Sequence, residues 1–516
     1  MILGGDFRVN LKDCNVPLDI SIQYFFLSSQ HPMQLKQEDI NGMESNAGVP
    51  PLSQRAQESL GALAGFGDLF KIMQNMYNKE TNPNGILSLG VAENSLMHQE
   101  LTEYYADRIK VNPFSLTYGQ GPGGSPILKK ALAGLYNRKF SPTFEVKAEH
   151  IVIGSGVSGV LDLLCHSIGD EGDAILIGRP IYTGFVNDLF LRSKMQLAPV
   201  SLKGVDPMGV EAVKFYEREL QVQKNRGVKV RGMILCNPHN PLGKCYTPEV
   251  IKAYAAFCNK HNIHFISDEI YALSIYSTPS NASAAPFTSI FSVPGLTDII
   301  DKRLVHVLYG MSKDFCANGM RMGCLISPWN PTIVMASFAV GIFQWPSSLA
   351  DIAWRTILTD EKYLDDFIEK NQKKLGDHYT ILTNWFKKHD IPYVDGSNAG
   401  FFVWVDLRRY LAKVKLPPGD DGKIPGGHTN IPGQPEGAQK RDKMLWDKMV
   451  DGGVYVGTAE MFYGEEHGWY RFSFSTVREE MELGLKRMEK VLKDVEEGGI
   501  GGVEVGLGAL ILEGMQ

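Results

Sequence analysis

The stretch HIVIGSGVSGVLDLL (residues 150–164) is typical of a buried strand that turns through glycines into a helix. An apolar, β-branched run comes first, and apolar residues at helical spacing follow the glycines. Gly154, Gly156 and Gly159 match the pattern G-x-G-x-x-G in the strand-to-helix context that the pattern requires. A helix that begins at such a turn offers its backbone N–H groups to an anion. The stretch therefore predicts an α/β fold with a phosphate site at this turn, and it leaves the identity of the phosphate compound open.

The same alternation continues from residue 151 to about residue 326. Segments of helical periodicity, among them 158–168 and 248–261, lie between short β-branched runs. Strands that alternate with helices indicate a mostly parallel sheet covered by helices on both faces. The further strands predicted here are DAILIG (173–178), VRGMILC (230–236), IHFISD (263–268) and RLVHVLYG (303–310).

The pattern changes after Trp329, where helices come first and isolated strands follow. A long helix is predicted over 361–389, strands over 399–407 and 470–476, and a helix over 478–495. This change from alternating α/β to α+β indicates a second, smaller domain. We therefore predict an α/β protein with a three-layer αβα large domain, a mostly parallel sheet and a smaller α+β domain.

A chain of 516 residues exceeds the usual size of one domain. Residues 416–438 are rich in glycine and proline without periodicity, which predicts a long surface loop or insertion. The parts predicted are an N-terminal extension (1–50), a segment contributing to the small domain (51–114), the large domain (115–345), the small domain with its insertion (346–495) and a tail (496–516).

The composition of the chain indicates which kinds of molecule it is expected to bind. The 52 basic and 58 acidic residues give a net charge of −6 without a dense basic run, so neither nucleic acid nor a membrane is expected as a partner. The seven cysteines are an odd number with no C-x-x-C pair, which favours a reducing compartment. No signal peptide or membrane-spanning run is evident. We expect a cytoplasmic protein that binds a small molecule.

Polar and aromatic residues follow several of the predicted strands. Because ligands of open α/β sheets bind at the carboxyl ends of the strands, these residues are expected to meet at one edge. Together they offer a lysine, an aspartate, an asparagine, tyrosines, an arginine and a phosphate-sized turn. The stretches concerned are RPIYTGF (179–185), NPHNPLG (237–243), DEIY (268–271) and YGMSKDFCANGMRMG (309–323).

Pyridoxal 5′-phosphate would use all of these groups. Lys313 can form the Schiff base, since a desolvated lysine has a lowered pKa and becomes nucleophilic. Asp268 can keep the pyridine nitrogen protonated, which makes the ring an electron sink; its alternative is a helix N-cap. Asn240 and Tyr271 can hydrogen-bond the 3′ oxygen of the ring. Tyr182 can stack on the ring face, with a core tyrosine as its alternative.

The phosphate would lie at the turn quoted first. Backbone amides of Gly156, Val157 and Ser158, at a helix start, can bind it together with the side chains of Ser312 and Arg321.

A dinucleotide-dependent oxidoreductase is the competing interpretation. It requires an acidic residue at the end of the next strand. Asp173 precedes that strand, which ends instead in Gly178 and Arg179. The dinucleotide interpretation therefore fails.

Five motifs in this order give the chain a specific resemblance. They resemble the fold-type I pyridoxal-phosphate enzymes, class I/II aminotransferases, and within them the 1-aminocyclopropane-1-carboxylate synthase-like branch. The resemblance covers about residues 55–495. The motifs are LGVAENSL (89–96), HNPLG (239–243), SDEIY (267–271), SKDF (312–315) and YRFSFS (470–475).

The resemblance implies the same cofactor roles as the chemistry above, with catalytic Lys313, Asp268 and Tyr271, and adds further residues. Arg471 would bind the α-carboxylate of the substrate, with a surface ion pair as its alternative. Glu93 and Asn94 would lie at the substrate mouth, with a capped helix start as the equal alternative. Tyr118 would reach the phosphate of a neighbouring subunit, which implies a homodimer with shared active sites.

Three positions depart from the family pattern. Gly310 stands where relatives usually have a serine that binds phosphate, and Asn318 stands where they have a proline. Gly121 occupies the place of a tyrosine that true aminocyclopropane-carboxylate synthases carry. The last departure argues against the cyclopropane-forming reaction more than against cofactor binding.

The predicted function is that of an aminotransferase-type enzyme acting on an amino acid or an amino-acid-derived small molecule, with a role in secondary metabolism among the options. The alternative is a carbon–sulfur lyase or γ-elimination enzyme of the same fold. A relative that only binds a partner would be expected to lose Lys313, Asp268 and Arg471, and all three are present.

Overall fold

The computed structural model describes residues 52–64, 67–119, 121–424 and 429–498. The predicted extension (1–50) and most of the predicted tail (496–516) lie outside the described residues. The chain divides into two compact units, Met1–Asn75 and Met76–Gln516. The described part of the first unit forms helices α1 (Gln54–Ala64) and α2 (Gly67–Gln74).

The second unit alternates strands and helices through its first part and then becomes mainly helical, as its element bounds show. The strands are β1 (Leu87–Ser88), β2 (Ile151–Ser155), β3 (Ala174–Gly178), β4 (Gln196–Val200), β5 (Val230–Cys236), β6 (His264–Asp268), β7 (Val305–Gly310), β8 (Met322–Ile326), β9 (Phe402–Asp406), β10 (Val454–Tyr455), β11 (Gly457–Thr458) and β12 (Trp469–Ser473). The α-helices are α3 (His98–Arg108), α4 (Pro126–Lys139), α5 (Gly156–Ile168), α6 (Gly184–Phe190), α7 (Val213–Asn225), α8 (Pro248–His261), α9 (Met311–Asp314), α10 (Pro331–Val340), α11 (Ser348–Thr359), α12 (Glu361–Lys388), α13 (Arg408–Leu411), α14 (Ala438–Asp451) and α15 (Arg478–Gly498).

A seven-stranded sheet in the order β2-β8-β7-β6-β5-β3-β4 forms the centre of the second unit. Strands β7, β6, β5, β3 and β4 pair in parallel, whereas β8 is antiparallel to both β7 and β2. The prediction of a mostly parallel sheet is confirmed. The common direction of β2, β3, β5, β6 and β7 brings their carboxyl ends to one edge.

Both faces of this sheet are buried, because successive side chains of a strand point to opposite faces. In β5, Met233 and Leu235 belong to one apolar cluster, which includes residues of α4, α7 and α8. Ile234 between them belongs to a second cluster, which includes residues of α5 and α6. The result is the three-layer αβα architecture that the sequence predicts.

The later part of the second unit builds two smaller sheets. Strands β11, β12 and β9 form an antiparallel sheet, in which Arg471 of β12 lies opposite Trp404 of β9. Strand β1 pairs in parallel with β10, so that Leu87 lies beside Val454. This pairing joins the segment predicted over 51–114 to the region of the predicted small domain.

Several elements were not foreseen in the sequence. Strand β4 contains Pro199 and lies at the sheet edge, the position where a strand tolerates proline. Helix α6 and strand β8 were also missed, because short elements carry little periodicity. In the insertion, the described residues between 416 and 437 form no helix or strand. The surface-loop prediction does not hold for Ile431, however, whose exposed fraction is only 1%.

Two further observations concern the described residues as a group. No helix among them is both long enough and apolar enough to cross a membrane. The six cysteines that the structure describes are free thiols, and all of them are buried.

Candidate active site

A cavity of about 240 Å³ opens at the carboxyl edge of the large sheet. The turns after β2, β3, β5, β6 and β7 each contribute side chains to its wall, because these strands end at the same edge. The predicted residues that line it are Val157, Ser158, Tyr182, Asn240, Asp268, Tyr271, Ser312, Lys313 and Arg321. The fold therefore brings together groups that are up to 164 positions apart in the chain, from Val157 to Arg321.

Lys313 lies in the short helix α9, which begins directly after β7. Its Nζ donates a hydrogen bond of 2.5 Å to the backbone oxygen of Ala92. Burial, followed by the positive charge of Arg471, lowers the pKa of Lys313 to about 8. An amine of this kind is available in its neutral, nucleophilic form close to physiological pH.

Asp268 ends strand β6 and is buried, with Oδ1 accepting a hydrogen bond of 3.2 Å from the backbone N–H of Ile270. Burial raises the pKa of this carboxyl to about 7. The residues that follow form a turn and no α-helix, so the helix-cap alternative is not what the structure shows. A carboxylate in this environment is stabilised by a cationic partner in the cavity.

The glycine turn quoted first lies against Arg321. Gly156 has a positive φ of 74°, and a Cβ there would lie 2.6 Å from Nη2 of Arg321, so only glycine fits. Arg321 itself has a φ of 55°, a left-handed conformation that is uncommon for a non-glycine residue, and its Nη1 donates to the Asn318 oxygen at 2.9 Å. Backbone N–H groups at the start of α5 and a guanidinium thus converge on one point, which is a site for an anion.

Arg471 on β12 lies beside the cavity and is only 4% exposed. Its Nη1 donates to Oδ1 of Asn240 at 3.0 Å and its Nη2 donates to the backbone oxygen of Gly90, whereas its buried Nε has no hydrogen-bond partner among the residues that the structure describes. The rings of Phe402 and Phe462 lie over the guanidinium, with centroids 5.2 Å and 4.4 Å from Cζ. Burial lowers the pKa of Arg471. The surface ion pair is therefore not what the structure shows.

Asn240 and Tyr182 both line the cavity, and each makes one contact with a neighbouring side chain. Asn240 lines the cavity and its Oδ1 accepts from Arg471, which leaves the side-chain amide nitrogen as its remaining donor. The ring of Tyr182 packs edge to face on Phe185 at 5.4 Å and is 39% exposed, so it is not a core tyrosine. Both arrangements suit a flat, polar ligand.

Glu93 and Asn94 have different environments although they are adjacent. Glu93 is exposed, and its Oε1 accepts a hydrogen bond of 2.5 Å from Nδ2 of Asn318, which lines the cavity. Asn94 is 1% exposed, donates to Asn371 at 2.9 Å and accepts from the backbone of Leu96 at 3.0 Å. The Asn94 side chain thus makes one hydrogen bond to a distant residue and one to the backbone shortly before helix α3, and the second is similar to the capped helix start given as its alternative. Its contact with a substrate stays a prediction.

Tyr118 lies away from the cavity of its own chain. It is 85% exposed, and its ring contacts that of Trp345 at 5.6 Å. The two residues line a second cavity of about 340 Å³. The predicted contact of Tyr118 with a phosphate therefore requires a neighbouring subunit.

The structure bears on all three departures from the family pattern. A Cβ at Gly310 would lie 2.9 Å from the backbone oxygen of Met322 and 3.1 Å from Cγ2 of Val157, which leaves no room for serine. Gly121 has a φ of 98°, a conformation that a tyrosine would adopt only with strain. Asn318, in place of proline, gains the side-chain contact to Glu93.

The cavity also contains residues that sequence reasoning missed, notably Asp188. Its carboxyl hydrogen-bonds the Ser158 side chain, and burial raises its pKa to about 7. Asp188 and Phe185 both line the cavity and lie three positions apart on α6. That spacing places both on one face of a helix, but the signal is visible only once α6 is known.

The sequence and the fold are both similar to those of known aminotransferases. The family model described as aminotransferase class I and II matches residues 86–488. A probable aminotransferase from Claviceps purpurea is 30% identical over 417 residues, which cover 80% of this chain and 90% of that protein. The 1-aminocyclopropane-1-carboxylate synthase 1 of Cucurbita pepo is 27% identical and covers 82% of this chain and 81% of its own. The fold is similar to that of an aromatic aminotransferase from Pyrococcus horikoshii, with a TM-score of 0.62, 21% identity, and coverage of 80% and 96%.

Proposed function

The chain belongs to the class I and II aminotransferases, and on that premise we propose that it binds pyridoxal 5′-phosphate and transfers the amino group of an α-amino acid or an amino-acid-derived small molecule. The observation that carries this proposal is that Lys313 and Asp268 line one cavity together with a glycine turn and Arg321. Each of these groups suits a different part of that cofactor.

The cofactor fits the donor set of the cavity. The glycine turn at Gly156 and the Arg321 guanidinium suit a phosphate dianion. Asp268 suits a protonated ring nitrogen, since a cation beside it would compensate for the burial of its carboxylate. The free amide nitrogen of Asn240 and the Tyr271 hydroxyl suit a phenolate oxygen.

When bound, pyridoxal 5′-phosphate supplies an electron sink for the carbon that loses a proton. Lys313 supplies the amine that holds the cofactor and, once released, a base with a pKa near the working pH. Asp268 would keep a proton on the ring nitrogen of the cofactor. Tyr182, on the wall of the cavity, limits the movement of a flat ligand and excludes water from one side.

Arg471 is proposed to bind the α-carboxylate of the substrate. Among the described residues, the hydrogen-bond partners of its buried guanidinium are the neutral oxygens of Asn240 and Gly90, and its Nε has no acceptor. A carboxylate would satisfy that donor and neutralise the charge through a bidentate pair. The rings of Phe402 and Phe462 keep water away from the guanidinium, which strengthens the attraction.

A carbon–sulfur lyase or another elimination enzyme of the same fold is the second candidate, since the synthase from Cucurbita pepo is among the relatives. In such a reaction a sulfur-containing group leaves the substrate after the proton is removed, whereas transamination transfers the amino group. The positive φ of Gly121 argues against restoring the tyrosine of the cyclopropane-forming synthases at that position. We therefore favour transamination.

A homodimer is proposed because exposed apolar side chains lie close in sequence to Tyr118 and to Trp345, whose rings are in contact. Leu116 and Phe343 are 79% and 88% exposed, and Tyr118 contacts Trp345 nearby. Exposed apolar surface of this kind marks an interface. A second copy of the chain is the partner we propose, with Tyr118 contributing to the neighbouring site.

An absorption spectrum tests the cofactor proposal. Protein incubated with pyridoxal 5′-phosphate and then desalted is expected to keep a visible absorption band that Lys313→Ala abolishes. Lys129→Ala is the matched control, because burial lowers the pKa of Lys129 too but this lysine does not line the cavity. Desalted wild-type protein without a visible band would refute cofactor binding, and a band unchanged in Lys313→Ala would refute the role of Lys313. A panel of amino acids, assayed for oxo-acid formation and for release of thiol or ammonia, then separates transferase from lyase.

A further inference from the structure

The insertion at 416–438 contains a short segment, residues 429–434, that buries the side chain of Ile431 while residues 429, 432 and 433 stay exposed; we call it the inner segment. Ile431 at its centre is 1% exposed and packs in one apolar cluster with Leu242, Trp404 and Phe462. Phe462 belongs to this cluster, and the centroid of its ring is 4.4 Å from Cζ of Arg471. The Phe462 ring thus connects the insertion to the proposed carboxylate site.

Hydrogen bonds fix the inner segment to the loop that carries this ring. Oγ1 of Thr429 donates to Oε2 of Glu460 at 3.1 Å, and the backbone N–H of Asn430 donates to Oε1 of the same carboxylate at 2.5 Å. Glu460 stands two residues before Phe462 in the turn Glu460–Phe462. The inner segment therefore contributes to the position of the Phe462 ring in two ways: through its hydrogen bonds to Glu460 and through the apolar cluster that Ile431 shares with the ring.

Arg179, at the end of β3, connects the same parts to the large sheet. It is 6% exposed, and its guanidinium donates to backbone oxygens of Tyr463 at 2.7 Å, Asn430 at 2.8 Å and Gly464. The backbone of Ile181, next to Tyr182, donates to the Phe462 oxygen at 2.7 Å. The loop around Phe462 is therefore hydrogen-bonded both to Arg179 and to the backbone beside Tyr182, which lines the cavity.

We propose that the inner segment is a positioning element for the substrate carboxylate: Ile431 holds the Phe462 ring against Arg471 and so raises the affinity of the site for carboxylates. This inference rests on the proposed function of Arg471. With Ile431 truncated, the ring gains space to move and water reaches the guanidinium, which weakens its pull on an anion. Lys313 and Asp268 line the cavity whereas Ile431 does not, so we expect the chemical step to be unaffected.

The test compares the holoenzyme with Ile431→Ala, using butyrate as the carboxylate probe and butyramide as its uncharged counterpart in calorimetric titrations. We expect Ile431→Ala to raise the dissociation constant of butyrate and the KM of an amino acid about three- to tenfold, with kcat and butyramide binding unchanged. Ile391→Ala is the matched control, because Ile391 is 3% exposed and lies outside the cluster. It should leave butyrate binding at the wild-type value.

Two further variants make the test specific. Phe462→Leu should reproduce the loss, and the double variant should be no weaker than Phe462→Leu alone, since Ile431 acts only through the ring. If Ile431→Ala fails to fold, Ile431→Val should show a smaller loss in the same direction.

The inference is overturned if butyrate binding is unchanged in the Ile431 variants, or if the two single losses add. A wild-type holoenzyme that binds butyrate no better than butyramide would instead overturn the proposed role of Arg471, and this inference with it.

Discussion

Replacing Gly310 by the serine that relatives carry should destabilise this protein rather than improve its phosphate site. Gly310 ends β7, and a Cβ there would lie 2.9 Å from the backbone oxygen of Met322, 3.1 Å from Cγ2 of Val157 and 3.2 Å from Cδ1 of Ile270. The φ of Gly310 is −175°, so the backbone conformation itself suits any residue. The cost is therefore one of space alone.

The expected size of this cost is that of an overpacked core, about 1–3 kcal/mol. The shortest of the three contacts is to backbone, which cannot turn aside as a side chain can. Val157 is part of the glycine turn, so its displacement should also weaken phosphate binding. Gly310→Ala should lose as much stability as Gly310→Ser, because the hydroxyl is not the cause.

Thermal unfolding of the cofactor-free proteins measures this loss without the stabilisation that a ligand adds. Gly134→Ala is the matched control, since no atom lies within 4 Å of the Cβ position in this helical glycine. It should raise stability by about 0.5–1 kcal/mol. Wild-type stability in Gly310→Ser, or tighter binding of pyridoxal 5′-phosphate by that variant, would refute the reasoning.

Three other predictions concern the site and the interface. Arg471→Lys should raise the KM of carboxylate substrates about 10- to 100-fold through loss of bidentate pairing, and unchanged steady-state kinetics would remove Arg471 from the substrate site. The rate at which the cofactor-free protein captures pyridoxal 5′-phosphate should rise with pH through about 8, because the amine of Lys313 must lose its proton before it attacks; a stopped-flow rate independent of pH between 6 and 10 would contradict this. Phe343→Glu should shift the protein toward a monomer in sedimentation velocity, whereas Val222→Glu, at a 39% exposed position on α7, should not. Equal behaviour of these two variants would argue against the proposed interface.

Much of the large domain follows from the sequence because its strands and helices carry strong local patterns. Strand β5 and helix α8 have the predicted bounds, and the glycine turn before α5 lies where the quoted stretch places it. Shorter elements with little periodicity, such as α6, depend on the packing around them. Asp188 was missed for that reason.

The sequence by itself determined the alternation of strands and helices, the order of the motifs and therefore the set of groups at the sheet edge. These depend on local periodicity and on the rule that parallel strands end together. Only the tertiary structure decided which groups are free to meet a ligand. It engages Asn94 with Asn371, leaves Nε of Arg471 without a hydrogen-bond partner among the described residues, and buries Ile431 in one cluster with Phe462. These are contacts between residues far apart in the chain, and no local pattern encodes them.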